Sequence, residues 1–416
     1  MTYLLGFIVG TLFGSAAWAA DIPVAEAESV GLSSERLTRL ESYMNRQVDG
    51  GELAGIQVLI ARHGKIAFFN SVGMADAIAK KPIDDKTIFA INSMTKPVTS
   101  VATMMLYEQG HFLLTDPIGK YLPELADMQV YVSSEGDDVV TRPPSRAITI
   151  QDLLRNTAGM TYFGIGQGPV ADMYGEMRVD WSAGSAAQYV ESLAKVPLIA
   201  DPGVHWEYSG ATNVLVRLIE VITGGTFDDY LRQNIFASLD MNNTAHYVPP
   251  EKASNLSATY EKQADGSLKQ VQQFEGAYGE DHAFKMGDSG LTSTALDYFR
   301  FAQMLLNGGT LDGNRILGPR TVALMTKDHL TPDMTRQWVL QPGHGFGLGV
   351  DVLVDPIATG TLASPGTYFW MGGQGAVFWV DPKERLVVVA MMQISPPLLP
   401  RLRGELEALI YQAIID

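Results

Sequence analysis

Ser93-Met94-Thr95-Lys96 is a place where the chain could perform covalent chemistry. It falls where the strand-like segment TIFAIN gives way to the helix-like PVTSVATMMLYEQG. In a helix, residues three apart share a face, so Ser93 and Lys96 point into one space with the hydroxyl near the positive helix end. A serine hydroxyl is a poor nucleophile until a neighbouring base takes its proton, and a lysine stripped of water can be that base. The chain has no cysteine, which leaves Ser, Thr, Lys or Tyr for covalent work and removes disulfides and Cys-ligated zinc. The same spacing recurs at Ser192-Leu193-Ala194-Lys195, but late in a helical stretch that ends at Pro197 and with no strand before it, so Ser192 reads as structural. Tyr208, in DPGVHWEYSGATNVL, is a group that can hold or pass a proton beside a cation; a lone tyrosine, by default, packs its ring and satisfies its hydroxyl.

Taken together these residues carry a family resemblance. Ser93-Met94-Thr95-Lys96 resembles the first motif of serine β-lactamases and DD-peptidases. Tyr208-Ser209-Gly210 resembles their second motif, Tyr-x-Asn, in the form carried by the β-lactamase-like carboxylesterases called family VIII. Trp370-Met371-Gly372, before FWVDP, falls where the third motif lies, Lys-Thr-Gly in β-lactamases and commonly Trp-Gly-Gly in family VIII. The stretches TIQDLLRNTAGMTY and GDSGLTSTALDYFRFAQMLLNGG are similar to the same superfamily, so the resemblance runs from about Leu32 to the C-terminus. It implies a Ser93, Lys96 and Tyr208 catalytic set, with Lys96, assisted by Tyr208, taking the proton from Ser93. It also implies an oxyanion hole from the amides of Ser93 and Gly373. Glycines at 372 and 373 suit close approach of a backbone to a ligand.

Two departures bear on substrate. Gly210 stands where β-lactamases have Asn, removing an amide that would steady the lysine and the substrate. Trp370 stands where they have Lys or His, removing a cation that would grip a carboxylate. Penicillins, cephalosporins and D-Ala-D-Ala peptides carry that carboxylate, and a charge buried against an indole without a partner is penalised. Met371 offers no hydroxyl and points the same way. The expectation is a carboxylesterase acting on short-chain esters through an acyl-serine intermediate, with weak action on cephalosporins allowed. The alternatives are a β-lactamase or DD-peptidase, and a non-catalytic binding protein that keeps the fold. Trp370, Met371, Gly372, Tyr162 and His205 are candidate pocket residues; Trp181, Trp206 and Phe163 suit an acyl-pocket wall or the core equally.

The elements that must position these groups can be read from the pattern. Ser33-Ser34-Glu35 begins a helix in which Leu37, Leu40, Met44 and Val48 recur until Gly50-Gly51. IQVLIARHGKIAFFNSVG reads as two strands joined at His63-Gly64. Helical pattern dominates from about 92 to 283, interrupted by the polar excursion VSSEGDDVVTRPPSR. GHGFGLGVDVLV, TYFWMGGQGAVFWV and RLVVVAMMQI then read as three strands before a closing helix, RLRGELEALIYQAI. An α+β fold follows, β-lactamase/DD-peptidase-like, with an antiparallel sheet flanked by helices and completed by both chain ends, plus a mainly helical domain. The expected division is 1–20 as a leader, 21–91 and 284–416 as the α/β sandwich, and 92–283 as the helical domain, with the site in the cleft between.

The remaining composition excludes more than it selects. The 416 residues are 46% hydrophobic and carry a formal charge of −16 with no Lys/Arg block, so nucleic acid is not an expected partner. There is no His-Glu-x-x-His and the seven histidines are scattered, so neither metal nor cofactor is expected. No Gly-x-Ser-x-Gly occurs; Gly287-Asp288-Ser289-Gly290 only half resembles one. The apolar run from Leu4 to Phe13 before Ala17-Trp18-Ala19 reads as an export signal without a basic residue. The expected location is periplasmic or secreted, without stable membrane association after cleavage, or cytoplasmic if the segment is kept as a packed helix. The partner is a small-molecule ester.

Overall fold

The structure is a computed structural model that describes residues 22–135, 138–180, 182–271, 278, 282, 284–395 and 401–416. The leader expected over 1–20 lies outside the described residues.

Helix α1 (Ser34–Asp49) starts where Ser33 accepts a hydrogen bond from the Arg36 amide, and it buries Leu37, Leu40, Tyr43 and Met44 along one side. Strands β1 (Gly55–Arg62) and β2 (Lys65–Asp76) form the early hairpin. His63 and Gly64 both turn at positive φ, 54° and 76°, the geometry that matches a two-residue loop to strand twist. β3 (Lys81–Pro82) extends this edge.

The late part of the chain makes five strands where the sequence pattern suggested three: β4 (His344–Phe346), β5 (Asp351–Leu353), β6 (Tyr368–Met371), β7 (Gly375–Asp381) and β8 (Leu386–Ser395). Glycines are the reason. Gly349 and Gly375, at φ 91° and 103°, fold two apolar runs back on themselves, so each becomes a hairpin. The sheet order is β4-β5-β6-β7-β8-β1-β2-β3, antiparallel along that path. Val58 of β1 opposes Ala390 of β8, so the two chain ends do close one sheet. Thr259–Lys262 and Leu268–Val271 add to it, the former parallel to the end of β8.

Both faces of the sheet's middle are covered. Val58, Ile60, Trp379, Val388 and Ala390 pack with α1 and the C-terminal helix (Arg401–Tyr411) on one side. Leu59, Ala61, Phe378, Val389 and Met391 alternate to the other side. There they meet α2 (Thr95–Glu108), α3 (Ala211–Thr223) and α4 (Ala295–Leu306). Removing each of the Val, Leu, Ile, Phe and Met side chains among these from water is worth roughly 1.5–3 kcal/mol. The polar excursion after residue 130 has structure of its own, a hairpin of Val130–Glu135 with Asp138–Arg142 that leaves Val132, Val139 and Val140 exposed. Among the described residues no helix is long and apolar enough to cross a membrane.

Candidate active site

Ser93 sits on a turn that is fixed from several sides. Phe89–Ala90 is paired with Thr292–Ser293, and Asn92 then adopts φ 44°, a left-handed conformation that Asn tolerates better than most residues. A 3₁₀ turn over Asn92–Met94 leads into α2 at Thr95, so Ser93 lies just before the helix and Lys96 in its first turn. Tyr298 donates its hydroxyl to the Met94 carbonyl at 2.8 Å, and Thr95 Oγ1 accepts the Leu291 amide at 3.1 Å. These contacts, from the GDSGLTSTALDYF stretch, lock the strand-to-helix turn.

Ser93 Oγ lies 2.6 Å from the Tyr208 hydroxyl, and Lys96 Nζ donates to that same hydroxyl at 2.9 Å. Lys96 Nζ also donates to the Asp288 carbonyl at 3.0 Å. The phenol therefore stands between hydroxyl and ammonium. The lysine is 1% exposed, and its Nζ rests 4.6 Å and 5.4 Å from the ring centres of Tyr208 and Tyr162. Lys195, in the second Ser-x-x-Lys copy, is exposed to solvent.

Tyr208 is held by both ends of its loop. The Glu207 amide donates to the Asn156 carbonyl, Ser209 Oγ donates to Asn156 Oδ1 at 2.9 Å, and the Tyr208 amide donates to Gln337 Oε1. Thr161 Oγ1 and Gln337 Nε2 both donate to Glu207 Oε1. Asn156 and Thr161 belong to TIQDLLRNTAGMTY, so that stretch serves to place the phenol. The ring stacks on Tyr162 at 5.6 Å and 14°, and Trp370 packs on it at 5.8 Å. Burial above all, and then the Asp288 carboxylate, push the Tyr162 hydroxyl well above the ordinary phenol range, so Tyr162 is a neutral platform.

Gly210 has a structural cause that the sequence did not reveal. Tyr189 donates to its carbonyl at 3.1 Å, and a Cβ at 210 would lie 2.2 Å from the Tyr189 oxygen. A side-chain amide still reaches the site from one turn into α3: Asn213 lines the cavity while its Oδ1 accepts the Gly287 amide at 2.9 Å.

On β6 the alternation of side chains separates two candidate pocket residues. Trp370 points to the Tyr208 side, buried between it and Phe346. Met371 points to the opposite face and packs against the core beneath α1, so it does not belong to the pocket. A Cβ on Gly372 would sit 2.5 Å from the Ile91 carbonyl, whereas Gly373 faces open space and lines the cavity. Among the described residues neither the Ser93 nor the Gly373 amide has a hydrogen-bond acceptor.

The cavity beside Ser93 measures about 770 Å³, and its wall includes the rings of Tyr162, Phe163, Tyr174, Tyr189, Tyr278 and Phe284 together with His246, His282, Lys285 and Asp288. Phe163 thus joins the wall. His205 does not: its ring nitrogens face Thr335 Oγ1 at 2.7 Å and Glu207 Oε2 at 3.1 Å, turned away by a parallel pairing of its strand with Thr335–Arg336. Trp206 is core, packed on Phe346. Trp181 lies outside the described residues. Among the described residues no group of His, Cys, Asp and Glu is arranged to hold a metal ion.

Comparison with known proteins places this geometry among relatives. The family model described as Beta-lactamase matches residues 40–412. Protein Rv1367c of Mycobacterium tuberculosis is 33% identical over 364 residues, 84% of this chain and 88% of that protein. Esterase EstB of Burkholderia gladioli is 28% identical over 392 residues, covering 89% and 95%. The solved structure of EstCE1, a hydrolase with promiscuous acyltransferase activity, is 27% identical and superposes with a TM-score of 0.76, covering 92% of this chain and 99% of that one.

Proposed function

The chain belongs to the β-lactamase family, and from that premise, as a serine hydrolase of this fold, we propose that it is a carboxylesterase of the family VIII kind with Ser93 as nucleophile. The observation that carries the reading is the continuous contact Ser93 Oγ, Tyr208 OH, Lys96 Nζ. Tyr208, as a phenolate, is the immediate proton acceptor and becomes the neutral phenol, and Lys96, rather than taking the Ser93 proton itself, donates to the phenolic oxygen and stabilises its negative charge until the proton arrives. The freed Ser93 oxygen attacks the ester carbonyl. The negative charge that develops on the carbonyl oxygen is met by the amides of Ser93 and Gly373. Tyr208 returns the proton to the leaving alkoxide, and the alcohol departs. Water gives a proton to the Tyr208 phenolate as it adds to the acyl-serine; collapse releases the carboxylic acid, and Tyr208 passes that proton to the departing Ser93 oxygen, restoring its hydroxyl.

Esters are favoured over penicillins because the position that grips a carboxylate in β-lactamases is filled by Trp370, buried on Tyr208. A carboxylate there would lose its water without gaining a cation. The resemblance to Esterase EstB supports the same activity.

The test is hydrolysis of p-nitrophenyl butyrate and of a chromogenic cephalosporin by wild type and Ser93→Ala. Ester turnover that vanishes in the variant and far exceeds cephalosporin turnover is expected. Dominant cephalosporin turnover would make the protein a β-lactamase, and undiminished activity in Ser93→Ala would remove Ser93 as nucleophile. A phosphonate mass shift on Ser93 separates an enzyme from a binding protein of this fold.

A further inference from the structure

The wide part of the cavity contains a buried charge that ester cleavage at Ser93 does not use. Asp288 gives its backbone carbonyl to Lys96; the residue lines the cavity while only 1% exposed, and its carboxylate is hydrogen-bonded with the Tyr162 hydroxyl. Its Oδ1 accepts from Ser289 Oγ at 2.9 Å. Among the described residues no Lys, Arg or His forms an ion pair with it; the nearby His246 is engaged by Asp228 at 2.8 Å and by the Met286 carbonyl at 3.0 Å, and Lys285 acts on Asp228. Burying a carboxylate without a counter-charge is costly, and buried charges are ordinarily paired.

Aromatic rings surround the same space. Tyr162, Tyr189 and Tyr278 line the cavity, and Phe284 lies 5.8 Å from Tyr189, ring centre to ring centre. All three phenols are pushed up by burial first and by the Asp288 charge second or later, which places that carboxylate among them and leaves their rings neutral. Ring faces attract a cation electrostatically, and a carboxylate among them completes the complement of an ammonium group. Asp288 and Ser93 line the same cavity, and the Asp288 backbone is tied to the Ser93 site through Lys96 and Tyr208, so one small substrate can meet both. A volume of about 770 Å³ also exceeds what a short acyl chain fills.

We propose that the cavity beside Ser93 accepts esters bearing an ammonium group, seated among Tyr162, Tyr189, Tyr278 and Phe284 against the Asp288 carboxylate. This rests on the esterase reading for its chemistry but not for its binding site. The ammonium takes no part in bond making; it orients the ester, and the acyl transfer to Ser93 proceeds as above.

Two measurements decide it. The first compares butyrylcholine with its carbon isostere 3,3-dimethylbutyl butyrate, using kcat/KM for wild type and Asp288→Asn. The choline ester is expected to be preferred by about tenfold or more in wild type, and the preference to collapse toward unity in the variant. Equal rates for the two esters in wild type, or a preference that survives Asp288→Asn, overturn the proposal while leaving the esterase reading intact. The second is calorimetric binding of benzyltrimethylammonium, which requires no turnover and can be read on wild type alone should Asp288→Asn fold poorly. Binding to wild type that weakens about tenfold in the variant supports the site, and no binding to wild type sinks it. If neither butyrate ester nor p-nitrophenyl butyrate is hydrolysed and Ser93 resists phosphonylation, the esterase reading fails, and the calorimetry alone still decides the ammonium site.

Discussion

Replacing Gly210 by alanine probes why this chain has glycine where β-lactamases carry asparagine. The glycine has φ −78°, an ordinary value, so alanine meets no backbone penalty there. What it meets is the Tyr189 hydroxyl: the new Cβ would be 2.2 Å from the oxygen and 3.4 Å from the ring carbon that bears it. The tyrosine cannot swing aside freely, being 2% exposed, packed on Phe284 and hydrogen-bonded to the Gly210 carbonyl at 3.1 Å. Overpacking of this kind costs about 1–3 kcal/mol. Losing the buried hydrogen bond adds about 1 kcal/mol. Gly210→Ala should therefore destabilise by about 2–4 kcal/mol. In a Tyr189→Phe background the oxygen is gone and only the 3.4 Å contact remains, so the same alanine should cost less than about 1 kcal/mol. Urea unfolding of wild type, both single variants and the double variant gives the coupling directly, with a value of about 2 kcal/mol expected. Equal costs of Gly210→Ala in the two backgrounds would refute the argument that the Tyr189 hydroxyl excludes a side chain at 210.

Tyr208→Phe should lower kcat for p-nitrophenyl butyrate by about 10²–10⁴ with KM little changed, because it removes the proton acceptor and keeps the ring that stacks on Tyr162; retention of more than a tenth of kcat would remove Tyr208 from the proton path. Asp152 is fully buried, and burial alone would raise its carboxyl, but Arg146 and Thr149 hold it at about 2 against 3.8 in the unfolded chain. A depressed folded value means its contribution is present above the unfolded value and is lost as pH falls toward the folded one, an effect of about 2 kcal/mol. Asp152→Asn should accordingly be less stable than wild type at pH 6 and show a smaller further loss between pH 5 and pH 2.5 in urea unfolding; parallel pH profiles would contradict the assignment.

The local instructions in this protein are legible because they act over a few residues. Ser33 caps α1, His63-Gly64 turns the first hairpin, and Ser93 and Lys96 share a face at the start of α2 through spacing alone. Strand count was misread where glycine turns divide apolar runs, since an apolar stretch looks the same whether it is one strand or a hairpin until Gly349 and Gly375 take positive φ. Met371 was misplaced for a related reason: which face a strand residue serves depends on register, and register is fixed only when β6 pairs with β7.

The sequence by itself determined which groups were available for covalent chemistry, Ser93, Lys96 and Tyr208, together with the absence of thiols and the tryptophan at 370. Only the tertiary structure decided that Tyr208, 115 positions from Ser93, stands between it and the lysine. It likewise decided that Tyr189 occupies the space at Gly210 and that Asp288 lies among phenols of the cavity wall, with no Lys, Arg or His ion-paired to its carboxylate among the described residues. Such relations join α2, the Tyr208 loop and the 286–290 turn, segments far apart in the chain. Their distances are set by how the helices pack on the sheet, and no short-range propensity encodes that packing.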